Sequence, residues 1–388
     1  MMRAEEEGVY LLIATRPPED GLTGQPYISV IVTAYNRRRY LPFALRSLEA
    51  QTLLRDRFEV IVVKNFDDKK SDGIISRNGW KDVYNDDLYQ GRMVLAGLEE
   101  AKGEVITFLD DDDMYVNNRL EEVYKAFTSF KRLVYFQNSQ AIIDSNGNVL
   151  ERPPLLISKN LIGGNPIVVD VDRLRALAKK YNVSVADLVL KVRARADFNS
   201  SSLAVRRSAL EVSAHLLREL PISVDSFTFA SSLKAGGLMY FTDEKLTFYR
   251  VHGGNWTPGF ASEEGNEAYL RRVKAFLQGM IAYRLIGHRL LNDDINIYLC
   301  VERFNKRWLQ LFLQPELGTL PPELRPSLSD VKLALRCYKV KEVYESLADV
   351  AFVMGRVLFG PLLASPKGRD FINKLANGIR KGQRRQEP

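Results

Sequence analysis

The sequence predicts an α/β fold, a mostly parallel doubly wound sheet flanked by helices, followed by an all-helical C-terminal domain. Three observations carry this. Short β-branched apolar runs alternate with amphipathic stretches between Tyr27 and Phe130. The links between them are short, as parallel β-α-β units require. From Glu264 onward helical spacing runs almost unbroken.

The elements follow in order. Residues 1–26 hold Arg16-Pro17-Pro18-Glu19-Asp20-Gly21 and end at Pro26, an irregular lead-in. Residues 28–33 (ISVIVT) read as a strand buried on both faces. Residues 39–51 place Leu41, Ala44, Leu45 and Leu48 at helical spacing. Residues 58–63 (FEVIVV) are a second buried strand and 104–109 (EVITFL) a third. Between them 90–102 is helical, with Met93, Val94, Gly97, Leu98 and Ala101 on one face; 118–130 is a further amphipathic helix. Runs 133–143 and 149–151 flank Asp144-Ser145-Asn146-Gly147, a hairpin turn. Residues 174–195 look helical, 197–205 and 240–252 read as strands, and 227–234 is a helical stretch between them. Helices are expected over 267–291, 295–313, 328–338 and 341–359. The Gly253-Gly254…Pro258-Gly259 break sets the domains at 1–26, 27–259 and 260–388.

Apolar residues at 46% and charged residues at 27% exclude a wholly disordered chain and a multi-span membrane protein. Cys300 and Cys337 are too few for a disulfide framework and read as reduced thiols of a cytosolic protein. The run at 9–14 is too short for a signal-peptide core, so a cytoplasmic location is expected. With His215, His252 and His288 the only histidines, a divalent metal must be held mainly by carboxylates, which points to Mn2+ or Mg2+. The net charge of +7 is concentrated late: residues 367–387 hold seven basic and two acidic side chains. That argues against nucleic acid as a partner and leaves an anionic membrane surface on the inner face of the cell membrane as one. Phe371, Ile372, Leu375, Ala376 and Ile379 fall at helical spacing among those charges. A solvated tail explains the same composition.

The strongest chemical signal is Asp110-Asp111-Asp112-Asp113 directly after the third buried strand. Packed carboxylates repel and need a compensating cation. A hard cation bound by one or two carboxylates and substrate phosphates is the usual magnesium arrangement. A solvated acidic turn before the helix at 118 is the plainer account; the position at the carboxyl end of a parallel strand favours the metal.

Four ordered blocks resemble the family-two glycosyltransferases of GT-A fold. They are Pro26-Tyr27-Ile28-Ser29-Val30-Ile31-Val32-Thr33-Ala34-Tyr35-Asn36-Arg37, then the run from Ala101-Lys102-Gly103-Glu104 to Phe108-Leu109-Asp110-Asp111-Asp112-Asp113, then Ser202-Leu203-Ala204-Val205-Arg206-Arg207, then Tyr249-Arg250-Val251-His252…Asn255. The resemblance covers about residues 27–257. It implies a nucleotide-diphosphate sugar as donor and a glycan or lipid-linked acceptor. Thr33, Ala34, Tyr35 and Asn36 would line the nucleotide. Asp110 and Asp111 would sit at the ribose and metal. Asp112, Asp110 and His252 would hold the metal. Where the family's second block starts with an aspartate that reads uracil, this chain has Lys64, so Asn65 or Asp67 would take over base recognition. UDP is then the default nucleotide and GDP the alternative. Arg92 is the nearest match to the family's basic residue in the next helix. Asp225 matches the second position of the family's ED pair, with Val224 in place of the glutamate, and would be the base of an inverting reaction. The same aspartate suits a helix N-cap. The altered second block and the missing glutamate leave a non-catalytic sugar-nucleotide-binding or scaffold protein as the rival reading.

Overall fold

The computed structural model describes residues 9–10, 25–151, 166–181, 183–252, 255, 278–279 and 281–292. The chain divides into two compact units, Met1–Asp294 and Ile295–Pro388. The helices expected over 295–359 and the basic tail lie outside the described residues.

The first unit is built on a ten-stranded mixed sheet. Its strands are β1 (Val9–Tyr10), β2 (Ile28–Ala34), β3 (Phe58–Lys64), β4 (Lys81–Tyr84), β5 (Val105–Asp110), β6 (Met114–Tyr115), β7 (Leu133–Ile143), β8 (Ile167–Asp170), β9 (Leu203–Arg206) and β10 (Leu238–Arg250). The order is β1-β8-β10-β7-β9-β5-β2-β3-β4, with β6 pairing off the path with β10. Strands β5, β2, β3 and β4 are mutually parallel. The apolar side chains of β2, β3 and β5 are buried, which is why these three read as continuous apolar runs.

The helices are α1 (Leu41–Glu49), α2 (Lys69–Arg77), α3 (Gln90–Glu100), α4 (Arg119–Ser129), α5 (Val171–Tyr181), α6 (Val185–Val192), α7 (Arg207–Glu211) and α8 (Val224–Ala235). One core cluster joins β2, β3 and β5 to α1, α2 and α4 through residues such as Val30, Leu45, Val62, Ile74, Leu109 and Phe127. Helix α3 packs closely on the segment that precedes α8. The Gly91 amide donates to Leu220 O at 3.1 Å, and a Cβ on Gly91 would lie 2.2 Å from Leu217 O.

Several expectations need correcting. The crossover α2–β4 was not foreseen, because α2 carries only Ile74 and Ile75 as large apolar side chains and Gly73 interrupts it. The helix expected over 174–195 is two helices, divided where Ser184 caps α6 by accepting from the Ala186 amide. The strand expected over 197–205 is shorter; Ser200–Ser202 form a 3-10 turn and only Leu203–Arg206 pair. Helix α8 begins at Val224, three residues earlier than expected. The turn at Asp144 forms as expected, with Gly147 at φ 93° and Leu150 N donating to Ile142 O.

Candidate active site

The carboxyl ends of β2, β3 and β5 meet at one edge of the sheet. Thr33 stands in register with Val63 on β3 and with Asp110 on β5, and Ala34 with Lys64. This is where open parallel sheets bind ligands. Thr33, Ala34, Tyr35 and Asn36 therefore leave the sheet beside the acidic turn. Asn36 adopts a left-handed φ of 56°, which asparagine tolerates better than most residues. It is held there by Asn65: Asn36 N donates to Asn65 Oδ1 at 2.9 Å, and Asn65 Nδ2 donates to Asn36 Oδ1 at 3.1 Å. Asp67 is exposed, and its carbonyl accepts from Arg38 Nε.

Lys64 does not face this edge as a base-reading group. It is buried, and its ammonium reaches Asp82 at 2.9 Å, Asp72 at 3.2 Å and Phe66 O at 3.1 Å. Burial alone would favour the neutral amine, but the two aspartates hold its pKa above the ordinary value. The charge pins β3 to α2 and β4. Arg92 is likewise committed, to Asp87 at 2.9 Å, to Arg218 O at 2.6 Å and to the face of Tyr89.

The four aspartates have different partners. Asp113 is buried, accepting from Arg250 N at 3.0 Å and from Asn199 Nδ2 at 3.1 Å. Asp111 and Asp112 share Arg37, whose Nε donates to Asp111 Oδ2 at 3.1 Å and whose Nη1 donates to Asp112 Oδ2 at 2.6 Å; Nη2 also contacts Asp111 Oδ1. Asp112 Oδ2 lies 3.0 Å from His252 Nε2. The backbone amide of Asp110 donates to Ser201 Oγ at 3.0 Å. Burial, then the neighbouring Asp112, pushes the Asp110 carboxyl up to about 7. Burial pushes Asp112 the same way, but Arg37 and His252 outweigh it and hold it below its ordinary value.

The far wall comes from β10 and β9. Short β6, immediately after Asp113, pairs antiparallel with Thr247 and Phe248 of β10. This carries Arg250 and His252 to the acidic turn, where Arg250 Nε donates to Asp112 O at 2.8 Å and the Tyr40 ring lies against His252 at 4.9 Å. Strand β9 runs antiparallel to β5, so the residues before it reach the carboxyl end of β5. Asn199 there bridges the two halves of the site. Its side chain donates to Asp113, and its backbone amide donates to Asp225 Oδ2 at 3.0 Å.

Asp225 sits in the first turn of α8; Ser223 holds the N-cap position, with no side-chain cap bond, so the N-cap role expected for Asp225 does not apply. Asp225 Oδ1 accepts from Ser226 N at 2.8 Å. Burial, followed by the charge of Asp197, pushes its pKa up to about 6, against the pull of the Ser226 and Asn199 amides. Asn36, Arg195, Asn199 and Ser223 all have positive φ and all flank this edge in sequence or by contact. Strained non-glycine residues of this kind collect at functional sites.

Among the described residues, no group of three or more His, Cys, Asp or Glu side chains converges as a self-contained metal site. The donor set still suits a hard divalent cation completed by phosphate oxygens, which needs only one or two protein carboxylates. A cationic group, Arg37, already rests on two of them.

The description "Glycosyl transferase family 2" matches residues 29–183, the span from β2 to the residues after α5. Over residues 29–183, less than half of the chain, the sequence is thus similar to this family. Its curated relatives include an uncharacterized glycosyltransferase of Nostoc sp., 26% identical over 244 residues, 59% of this chain and 66% of the relative. Another, from Methanocaldococcus jannaschii, is 30% identical over 138 residues, 34% of this chain and 47% of the relative. The aligned stretches thus span between about half and two thirds of those relatives' length. Among solved structures, S. aureus TarS in complex with UDP-GlcNAc superposes with a TM-score of 0.51 at 15% identity, covering 92% of each chain. That likeness confirms the GT-A-type fold read from the sequence.

The matched span holds the nucleotide-side candidates, whereas Asn199, Asp225 and His252 lie beyond residue 183. Sequence reasoning gave no role to Arg37, Asn199 or Arg250. Arg37 and Arg250 stood inside the quoted blocks, next to residues that had roles. Asn199 had a weaker signal: it opens Asn199-Ser200-Ser201-Ser202, a polar run that is buried ahead of a strand.

Proposed function

We propose that this protein is a metal-dependent inverting glycosyltransferase, moving a sugar from a nucleotide-diphosphate donor to an acceptor hydroxyl of a glycan or lipid-linked molecule. One observation carries the reading. Asn199 ties Asp225 to the acidic turn at Asp113, bringing together a titratable carboxyl and a carboxylate cluster more than 100 residues apart in sequence.

In this reading Thr33, Ala34, Tyr35 and Asn36 receive the nucleotide, and the interlocked amides of Asn36 and Asn65 shape the rim where the base enters. Asp110, Asp112 and His252 would hold Mn2+ or Mg2+, which supplies positive charge for the leaving diphosphate. Asp225 accepts the proton of the attacking hydroxyl at a carboxylate oxygen. A pKa near 6 suits a general base at neutral pH, where it is ionised yet more basic than an ordinary aspartate. A single base with attack opposite the leaving group gives inversion. UDP-linked sugars are the first donors to test, in line with the UDP-GlcNAc bound by TarS, and GDP-linked sugars the second. Acceptors on an anionic membrane surface, reached through residues 367–387, belong to the same reading.

The test is sugar release from a panel of UDP- and GDP-sugars, with Mn2+ and with EDTA, with and without acceptor. Metal-dependent turnover of one donor class supports the proposal. Tight donor binding with no turnover under any condition would leave the non-catalytic reading standing.

A further inference from the structure

Arg37, Arg38 and Arg39 follow one another after β2, but only Arg37 of the three meets the acidic turn. Arg38 lies over Phe66 and donates to Asp67 O, and Arg39 lies over Tyr40. The Arg37 fork takes both oxygens of Asp111 and one of Asp112, the oxygen that His252 also faces. Asp111 is fully buried and Asp112 nearly so, whereas the Arg37 side chain is 28% exposed. The guanidinium thus closes the cluster from the solvent side and has a way out.

We propose that Arg37 is a positioning residue that occupies Asp112, a carboxylate the divalent cation needs, and neutralises Asp111 beside it until the cation arrives with the donor diphosphate. This rests on the glycosyltransferase reading of the same site. A bare divalent ion has to expel a guanidinium that makes three bonds to these carboxylates. The donor changes the balance, because its diphosphate offers the released guanidinium a new anion of matching fork geometry. Metal and nucleotide therefore enter as a pair: the cation binds weakly alone and much more tightly with a nucleoside diphosphate.

The experiment measures Mn2+ binding by electron paramagnetic resonance, with and without UDP or GDP. It compares the wild type, Arg37→Gln, Arg37→Lys and, as a charge-matched control, Arg39→Gln. Freeing the carboxylates from a cation should tighten Mn2+ binding alone by about tenfold or more in Arg37→Gln, with Arg37→Lys between it and the wild type. The gain from added nucleotide should shrink in Arg37→Gln and stay intact in Arg39→Gln. A thermal melt supplies a second reading: Arg37→Gln should melt lower than wild type in EDTA and regain the difference with Mn2+. Equal Mn2+ affinity in Arg37→Gln and Arg39→Gln would overturn the proposal for Arg37 and leave the glycosyltransferase reading intact. Absence of Mn2+ binding by the wild type, with or without nucleotide, would overturn both.

Discussion

At the scale of single residues, Asp225 carries the sharpest consequences. Its folded pKa near 6 lies above the ordinary aspartate value of 3.8. The folded state thus holds this proton more tightly than the unfolded chain. The contribution to stability falls as pH rises from about 4 to about 6, the reverse of a salt-bridged aspartate. Asp225→Asn removes that cost, so above pH 6 the variant should be more stable than wild type by about 1–3 kcal/mol, read from urea unfolding. Donor binding should persist while transfer falls about 10²-fold or more. In the wild type, kcat should rise with pH through about 6 and then level. Near-normal turnover in the variant would move the base elsewhere. Asp112 gives the complementary prediction. Asp112→Ala loses the carboxylate that both Arg37 and His252 face, so titration calorimetry should show nucleotide-diphosphate binding that no longer responds to EDTA.

At the scale of elements, backbone geometry decides which substitutions the site withstands. Gly91 opens the first turn of α3 where the helix meets the segment leading to Asp225. Gly91→Ala would place a Cβ 2.2 Å from Leu217 O and 2.8 Å from Leu220 Cβ. Both neighbours are backbone or packed side chain, so the strain should cost about 1–3 kcal/mol in urea unfolding, as overpacking usually does. Transfer should fall with it, because α8 shifts with that segment. The sequence made β2, β3, β5 and their helices legible, since strands buried on both faces cannot hide their apolar runs. The family resemblance named Thr33, Asn36, Asn65, Asp110, Asp112 and His252 as site candidates, and the fold brings them to one edge of the sheet. The sequence did not reveal α2 and β4, where polar residues dominate. Lys64 shows the other gap: spacing located it where the family reads a base, and only its buried pairing with Asp72 and Asp82 showed a structural charge. Arg37 and Asn199 escaped notice because their meaning lies in contacts across 74 and 86 residues of chain.

At the scale of the whole molecule, the chain joins a described sheet unit to a second unit that carries the basic tail. Among the described residues no helix is long and apolar enough to cross a membrane. In the proposed reading, membrane contact rests on residues 367–387, each basic group being worth about 1 kcal/mol near an anionic surface and less in salt. Removal of residues 366–388 should abolish co-sedimentation with anionic vesicles at low salt, leave donor binding unchanged, and slow transfer to a lipid-linked acceptor more than to a soluble one. Equal, negligible vesicle binding by both forms would discard the membrane idea.

The place of β9 bears on how the molecule is made. It pairs antiparallel with β5 on one side and β7 on the other, yet it follows both in sequence. A growing chain that has reached only the end of β7 has two finished strands and a slot between them. Their facing backbone groups wait unpaired until Leu203–Arg206 arrives, roughly 60 residues later. Open strand edges of this kind recruit other chains. Slow synthesis between β7 and β9 would thus lengthen the period in which nascent chains associate, and the same late insertion brings Asn199 to the acidic turn. One side of β7 closes with β9; the other stays open until β10, which also brings Arg250.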